Sequence, residues 1–568
     1  MLLAVSTLFV CAVAAGFFAN LHSTLSDAST AGIAWTHQVF HNALHGRLFQ
    51  SSLYASRAAG LSVGFSENPY PYIHTSVIHV SFTPYLFAPL WGLLPNLYWL
   101  YGLIFLVNYA GLSYFAWKLL QLRSPRTARA KTALAVALLL SSGFFFTLQQ
   151  KAQLLLFCGP FILASYYFLL RERLAAFLAA ILLLCMISED AAMVAATFSL
   201  YLALCEPTRR RYALWAAVVS IAYLALVLLV IQPAARHELV LTESTTTALI
   251  LKKVLRITPG QLLSLPLQLL PALGFLPAFG IVYLLYGRPA IPLRQLLGLI
   301  LIAPLPHWGE TVVVGAGHHL MPILAFLFLA LVLMLGASRD AAPTKDRFAS
   351  RRAWPLAALT ALFLLLSLRA VASNIPAQIR LRLLTPGGPQ AAAQQLRLRT
   401  DEETANRRTI AAIQRIAPRH SLVFLTNSSV EGFIAGRSDL WKFPDYYDRA
   451  DFLVLQRHAR HAFFAFQPLL GADLARVIQQ GQSSPDDRAV ITDAMVQALI
   501  DSLVLRARTH RLAADEPHVV VLERIRKEPM PVPPSTVGFG WLRNLSHLTD
   551  AAPPTRMRRD RLLPPRAS

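Results

Sequence analysis

Apolar and polar positions alternate along the first two-thirds of the chain in blocks, with apolar stretches separated by short connectors that contain Lys and Arg. A helix needs about 20 apolar residues to cross the hydrocarbon core of a bilayer, and it satisfies its backbone hydrogen bonds internally. The pattern therefore predicts eleven membrane-spanning helices, at residues 2–20, 97–117, 132–150, 152–170, 174–188, 191–205, 212–232, 261–286, 290–306, 320–337 and 353–372.

One further apolar stretch, Ser81–Pro95, is predicted to lie on the membrane surface and not to cross it. It contains three prolines, Pro84, Pro89 and Pro95. Counting it as a span would also reverse the side of every later connector. We therefore expect an interfacial helix on the outer leaflet, with a short true span as the alternative.

The pattern changes after residue 372, where short β-rich runs alternate with helical patterns. The predicted strands are Ser421–Leu425, Asp451–Leu455 and His518–Leu522, and the helices are Glu402–Ile416 and Ile491–Leu505. This predicts a small α/β domain over residues 373–552, followed by a disordered basic tail at 553–568. The fold class is thus an all-α polytopic membrane domain, residues 1–372, with a C-terminal α/β domain.

Composition supports a membrane protein. Of the 568 residues, 55% are hydrophobic and 14% are charged, against roughly 25% charged in ordinary globular proteins. This excludes the usual kind of soluble enzyme and also a disordered chain. The net charge of +22 would suit nucleic acid, but many basic residues punctuate apolar segments, so we expect membrane lipids as partners and no nucleic acid.

The basic residues also predict the orientation. One set of short connectors holds 17 Lys and Arg, while the opposite side holds 8 in much longer loops. Cytosolic loops carry the excess of positive charge, so we expect a cytosolic N-terminus with an uncleaved first helix. The long first loop, residues 21–96, and the C-terminal domain are then extracytoplasmic.

Among the predicted outer carboxylates, the adjacent pair Glu189-Asp190 is the sharpest candidate for chemistry. It lies at a turn between two predicted spans, where burying an unpaired charge is expensive. Such a pair could act as a general base, hold a divalent cation or bind a sugar hydroxyl. The alternative is a polar turn in which Ser188 and Asp190 cap the next helix.

Histidines and basic residues supply further candidates. His37, His41 and His45 recur every four residues and would share one helix face, either as a zinc site or as polar packing. A second outer loop, PHWGETVVVGAGHHLMP, carries the polar residues His307, Glu310, His318 and His319. Lys151 and Arg236 could contact a lipid phosphate, or they could snorkel to the headgroups.

Several segments together resemble the domain-of-unknown-function 2079 family of predicted bacterial membrane proteins. The resemblance rests on the order and spacing of short motifs across roughly residues 20–340: Gln38, Asn42–Arg47, Ser81–Pro84, Pro89–Trp91, Ser188–Asp190 and His318–Pro322. In turn, the family looks like the C-type (GT-C) glycosyltransferases, which use polyprenyl-phosphate sugars at the outer leaflet of the membrane.

The resemblance implies a glycosyltransferase in the bacterial cytoplasmic (inner) membrane with a polyprenyl-phosphate-sugar donor. A first-loop carboxylate, Asp27 or Glu67, would be the catalytic base, and Glu189 and Asp190 would position substrate or a divalent metal ion. The metal site and any cofactor stay open. The substrate-binding candidates are His45, Arg47, His79, Lys151, Arg236, His307, Glu310, His318 and His319.

The chain departs from the family pattern at two points. Gly32 and His37 stand where the family commonly has aspartates, and Leu148–Lys151 replaces a Phe-His-Pro-Glu motif. Either Asp27 or Glu67 has taken over the catalytic role, or the chain is a degenerate member. The alternatives are a non-catalytic membrane protein whose outer domain binds an envelope partner, and a transporter.

Overall fold

The fold is seen in a computed structural model. It describes residues 31–46, 50–51, 65–67, 73–74, 80–141, 154–232, 240–241, 275–286, 290–314, 319–338, 403–417, 422–425, 440–442, 450–457 and 493–525, with isolated positions between 7 and 18 and at 272, 430, 434 and 436.

The helices of the first 338 residues follow the apolar blocks of the sequence. Among the described residues, three are long and apolar enough to cross a membrane: Leu97–Arg123, Pro207–Ile231 and Leu320–Ala337. Shorter helices occupy other predicted spans: Ala128–Ser141, Cys158–Leu170, Leu174–Cys185, Glu189–Cys205, Phe275–Tyr286 and Leu293–Leu297. The number of eleven spans is thus not confirmed, and the predicted span 353–372 lies outside the described residues.

Leu320–Ala337 is the central helix of the bundle. Almost all of its side chains are buried, and it packs against Leu97–Arg123, Ala128–Ser141 and Cys158–Leu170. A helix that is apolar on every face belongs inside a protein or a membrane. In contrast, many apolar side chains of Arg210–Ala225 are exposed, as expected for a helix at the periphery that faces lipid.

The predicted interfacial segment forms a helix of nine residues, Thr83–Trp91, with a proline at its start. At 1.5 Å per residue it is about 14 Å long, less than half of the roughly 30 Å hydrocarbon core. It is therefore too short to span, as the interfacial interpretation expects. The next helix, Leu97–Arg123, begins at Asn96, whose Oδ1 accepts a hydrogen bond of 2.8 Å from the Trp99 backbone N–H.

The predicted outer loop around residue 310 is largely helical instead, since a helix runs over Leu305–Val314. The side chains of His307 and Thr311, four residues apart, are both buried. The indole Nε1 of Trp308 donates a hydrogen bond of 2.9 Å to the backbone oxygen of Ile300. The helix continues through Gly309, although glycine weakens a helix, and burial of one face offsets that cost.

The C-terminal region holds a five-stranded mixed sheet, whose strands are β5 (Leu422–Leu425), β6 (Leu440–Lys442), β7 (Phe452–Gln456), β8 (His510–Glu516) and β9 (Val519–Arg524). Their order across the sheet is β6-β5-β7-β9-β8. β5 is parallel to β6 and β7, and β9 is antiparallel to β7 and β8. Helices at 403–416 and Asp493–Ile500 complete the α/β pattern.

The sequence prediction missed two of these strands, and both lie at edges of the sheet. β6 has three residues, and β8 is largely exposed and rich in charge. An edge strand has only one neighbour, so it lacks the continuous apolar run that identified β7 and β9.

The first loop contains the helix Ala31–Leu44 and contributes strands to two small antiparallel strand pairs. β1 (Gln50–Ser51) pairs with β3 (Ile73–His74). β2 (Phe65–Glu67) pairs with β4 (Val240–Leu241), which follows the helical segment ending at Ile231. The helix Ala31–Leu44 packs on Thr83–Trp91, and its residue Ala34 also belongs to the hydrophobic core of the C-terminal sheet.

Candidate functional site

The acidic pair lies at the start of the helix Glu189–Cys205. Ser188 is the N-cap, and its Oγ accepts a hydrogen bond of 3.2 Å from the Ala191 backbone N–H, so the capping role expected of Ser188 is confirmed. Both carboxylates occupy the first turn, where the partial positive charge of the helix end favours negative side chains. Glu189 is buried and Asp190 is half-buried.

Glu189 does more than a capping turn requires. Its Oε2 accepts a hydrogen bond of 3.3 Å from the backbone N–H of Val80, which lies at the end of the first loop. Nearby, the Phe82 N–H donates to the Met186 carbonyl oxygen at 2.8 Å. Two hydrogen bonds therefore join the first loop to the turn that carries the acidic pair.

The first-loop helix Ala31–Leu44 presents a buried polar face. Four polar side chains of this face are more than nine-tenths buried: His37, Gln38, His41 and Asn42. Thr36 is also buried, on another side of the helix. Gln38 Oε1 accepts a hydrogen bond of 2.7 Å from the buried hydroxyl of Ser51. Polar groups of this number are buried only where they have partners or ligands.

The interfacial helix forms one wall beside this face. The His37 imidazole meets the Trp91 indole edge-on at 5.5 Å between centroids, and Phe40 contacts the same indole at 6.2 Å. Trp91 is itself held by a 3.2 Å hydrogen bond from its Nε1 to the Asn96 backbone oxygen. These aromatic contacts hold the helix Ala31–Leu44 against the interfacial helix Thr83–Trp91. Val80, just before that interfacial helix, is the residue that is hydrogen-bonded to Glu189.

Of the three regularly spaced histidines, His37 and His41 lie in the helix Ala31–Leu44, and His45 follows its last residue. His37 and His41 both meet the Trp91 indole edge-on, and the His41 and His45 rings lie 4.2 Å apart between centroids at a tilt of 31°. A ring nitrogen of His45, Nδ1, lies 2.8 Å from the His41 backbone oxygen. Within the described part of the chain, no three His, Cys, Asp or Glu side chains are grouped as a metal site.

His307 approaches the helix of the acidic pair from another side. The helix Leu305–Val314 packs against Glu189–Cys205, and the Thr197 hydroxyl donates a 2.6 Å hydrogen bond to the Ala303 backbone oxygen. The His307 and His319 rings lie 6.2 Å apart. Glu310 lies in this helix, but its side chain is outside the described residues.

The predicted catalytic and binding residues are thus brought together in part. Glu67 pairs through its backbone with Val240, without a described side chain. The remaining candidates lie outside the described residues: Asp27, Arg47, His79, Lys151, Arg236 and His318. Sequence reasoning did not select Thr36, Ser51 or Trp91 as site residues.

Comparisons with known proteins agree with a membrane protein. A family described as "Predicted membrane protein (DUF2079)" matches residues 34–481. The crystal structure of ArnT from Cupriavidus metallidurans bound to undecaprenyl phosphate is similar over 92% of this chain and 99% of that chain, with 12% sequence identity and a TM-score of 0.48. No curated protein matches the sequence.

Proposed function

The chain belongs to the DUF2079 family of predicted membrane proteins, and we propose that it is a glycosyltransferase of the outer face of a bacterial cytoplasmic membrane. Its proposed donor is a sugar linked to polyprenyl phosphate. The observation that carries the proposal is the buried carboxylate of Glu189, which is hydrogen-bonded to the first loop at Val80.

That observation matters because it links two parts that a membrane-embedded transferase needs. A donor with a long hydrocarbon chain reaches the site from the bilayer, while a polar acceptor comes from the aqueous side. Glu189 and the half-buried Asp190 begin the helix Glu189–Cys205, which occupies a predicted span, and Glu189 is hydrogen-bonded to the first loop at Val80. An ionisable pair at the end of a membrane-embedded helix is a default candidate for function.

In the proposed reaction, the acceptor hydroxyl oxygen attacks the anomeric carbon of the donor sugar. The bond from that carbon to the phosphate oxygen breaks, and its electron pair leaves with polyprenyl phosphate. A first-loop carboxylate, Asp27 or Glu67, accepts the hydroxyl proton, while Glu189 and Asp190 position the sugar through its hydroxyl groups. Lys151 and Arg236 would neutralise the leaving phosphate.

The first loop also pairs with the segment after residue 231, where Glu67 stands opposite Val240 in the β2–β4 pair. This pairing supports the assignment of Glu67, because it fixes the backbone of a candidate base in an ordered part of the first loop.

The mechanism uses Glu189 and Asp190 as hydrogen-bond acceptors for sugar hydroxyls. Their carboxylates can fill this role without a metal ion, so no step of the proposed reaction depends on one.

The test uses the full chain in nanodiscs with a panel of undecaprenyl-phosphate-linked sugars and envelope glycans as acceptors. Mass spectrometry measures the release of undecaprenyl phosphate. Glu189→Gln and Asp190→Asn should lower turnover by on the order of a hundred-fold. Glu172→Gln is the matched control, because this exposed carboxylate pairs with Arg209 in another loop.

Full turnover by both substituted proteins would contradict the proposal. Binding of undecaprenyl phosphate without any sugar transfer would favour a non-catalytic membrane protein. Movement of an unaltered solute across vesicles would favour a transporter.

A further inference from the structure

The hydrophobic core of the C-terminal domain is completed by the first loop. Ala34 is fully buried in one cluster with residues of helix 403–416, of β7 and of β9. Trp35 borders the same cluster. Because this core includes a residue nearly four hundred positions away along the chain, the first loop and the C-terminal domain form a packed interface. The domain is not merely tethered to the rest of the chain.

A second contact lies directly on the buried polar face. The backbone of Gly436 approaches His37 so closely that an added Cβ would stand 3.3 Å from Nε2 and 3.4 Å from Cε1 of the imidazole. Glycine is the residue that allows such an approach between a backbone and a ring. The same imidazole meets the Trp91 indole edge-on.

The guanidinium group of Arg407, in helix 403–416, is close enough to Tyr98, the second residue of the span Leu97–Arg123, for an electrostatic interaction. The domain therefore lies against the first-loop helix and near the start of a span.

We infer that the C-terminal domain covers the buried polar face of the helix Ala31–Leu44 and that Gly436 positions His37 on that face. The contact between Gly436 and His37 stands on geometry alone, while its effect on catalysis rests on the proposed function. Displacement of the domain moves the helix that carries Gln38, His41 and Asn42, and with it any substrate group that this polar face holds. Small displacements at a site have large effects on rate.

The test is a double-mutant cycle in the full chain with Gly436→Val, His37→Ala and both together. Valine at 436 should collide with the imidazole, lowering the midpoint of thermal unfolding by about 5 °C and kcat/KM for transfer by on the order of ten-fold or more. Removing the imidazole relieves the collision, so the double variant should match His37→Ala in both measurements.

Gly309→Val is the matched control for unfolding, because an added Cβ at Gly309 meets nothing within 4 Å. Gly436→Ala should fall between wild type and Gly436→Val, since a methyl group requires a shift of only a few tenths of an ångström.

The proposed contact would be wrong if Gly436→Val left the midpoint of thermal unfolding unchanged, or if the effects of the two substitutions on that midpoint simply added. If unfolding couples but kcat/KM of Gly436→Val equals that of wild type, the positioning role is wrong and the contact is structural. Absence of sugar transfer by the wild-type protein would count against the proposed function. The double-mutant cycle on thermal unfolding would still test the contact between Gly436 and His37.

Discussion

Val80 and Glu189 are 109 positions apart in the chain, yet the backbone N–H of the first donates a 3.3 Å hydrogen bond to the carboxylate of the second. Glu189 is only 5% exposed, so this bond is made away from solvent. A buried hydrogen bond to a charged group contributes about 1.5–3 kcal/mol to stability. The turn Ser188–Asp190 is thus an anchor for the first loop as well as a candidate binding site.

Glu189→Ala should therefore destabilise the protein. Alanine leaves the buried Val80 N–H without its acceptor, which costs about 1–3 kcal/mol. Glu189→Gln retains an acceptor oxygen and should cost less. Thermal unfolding of the purified full chain measures the difference, and equal midpoints for the two variants would show that the Val80 contact is unimportant.

A second buried carboxylate, Glu206, should stabilise the bundle without taking part in catalysis. Its Oε1 accepts hydrogen bonds from the hydroxyls of Tyr166, at 2.6 Å, and Tyr201, at 2.7 Å. It lies beyond the opposite end of the helix that starts at Glu189. Tyr166→Phe and Tyr201→Phe should each cost about 1.5–3 kcal/mol.

The same two phenylalanine variants should combine non-additively, because both hydroxyls share one oxygen atom. Chemical denaturation in mixed micelles provides the comparison. Additive losses would mean that the hydroxyls act independently, and loss of substrate binding in either variant would place Glu206 in the site.

Lys131 should be a structural lysine. Its buried ammonium group donates to the Ser124 hydroxyl at 3.0 Å and to the Ser338 backbone oxygen at 3.1 Å, which joins the two ends of neighbouring helices. Lys131→Met should cost about 2–3 kcal/mol. Arg129→Met, an exposed change in the same helix, should cost little, and equal effects of the two substitutions would argue against the assignment.

The contact of Ala34 with the C-terminal core requires the first loop and that domain to lie on one side of the membrane. With Cys11 replaced by Ser, Leu512→Cys should react with a membrane-impermeant thiol reagent in spheroplasts. Glu172→Cys, on the predicted cytosolic side, should react only after lysis. Both positions are exposed, and the other native cysteines are buried. The reverse labelling pattern would invert the predicted orientation.

Local sequence patterns determined the elements of this protein. The apolar run of Leu320–Ala337 specifies a helix whatever its neighbours are, because the bilayer leaves its backbone no other partners. The Ser188 side chain identified the start of the next helix, since its cap involves only residues three positions apart. The continuous apolar runs of β7 and β9 likewise marked the centre of a sheet before its neighbours were known.

Only the tertiary structure decided which of these elements meet. Nothing local to Glu189 selects the Val80 N–H as its partner, and nothing local to Ala34 places it in the core of a distant sheet. Gly436 looked like any loop glycine until its backbone was found against His37. Such contacts depend on the free energy of packing the whole chain, in which many weak, non-directional apolar contacts act together, and no short segment contains that information.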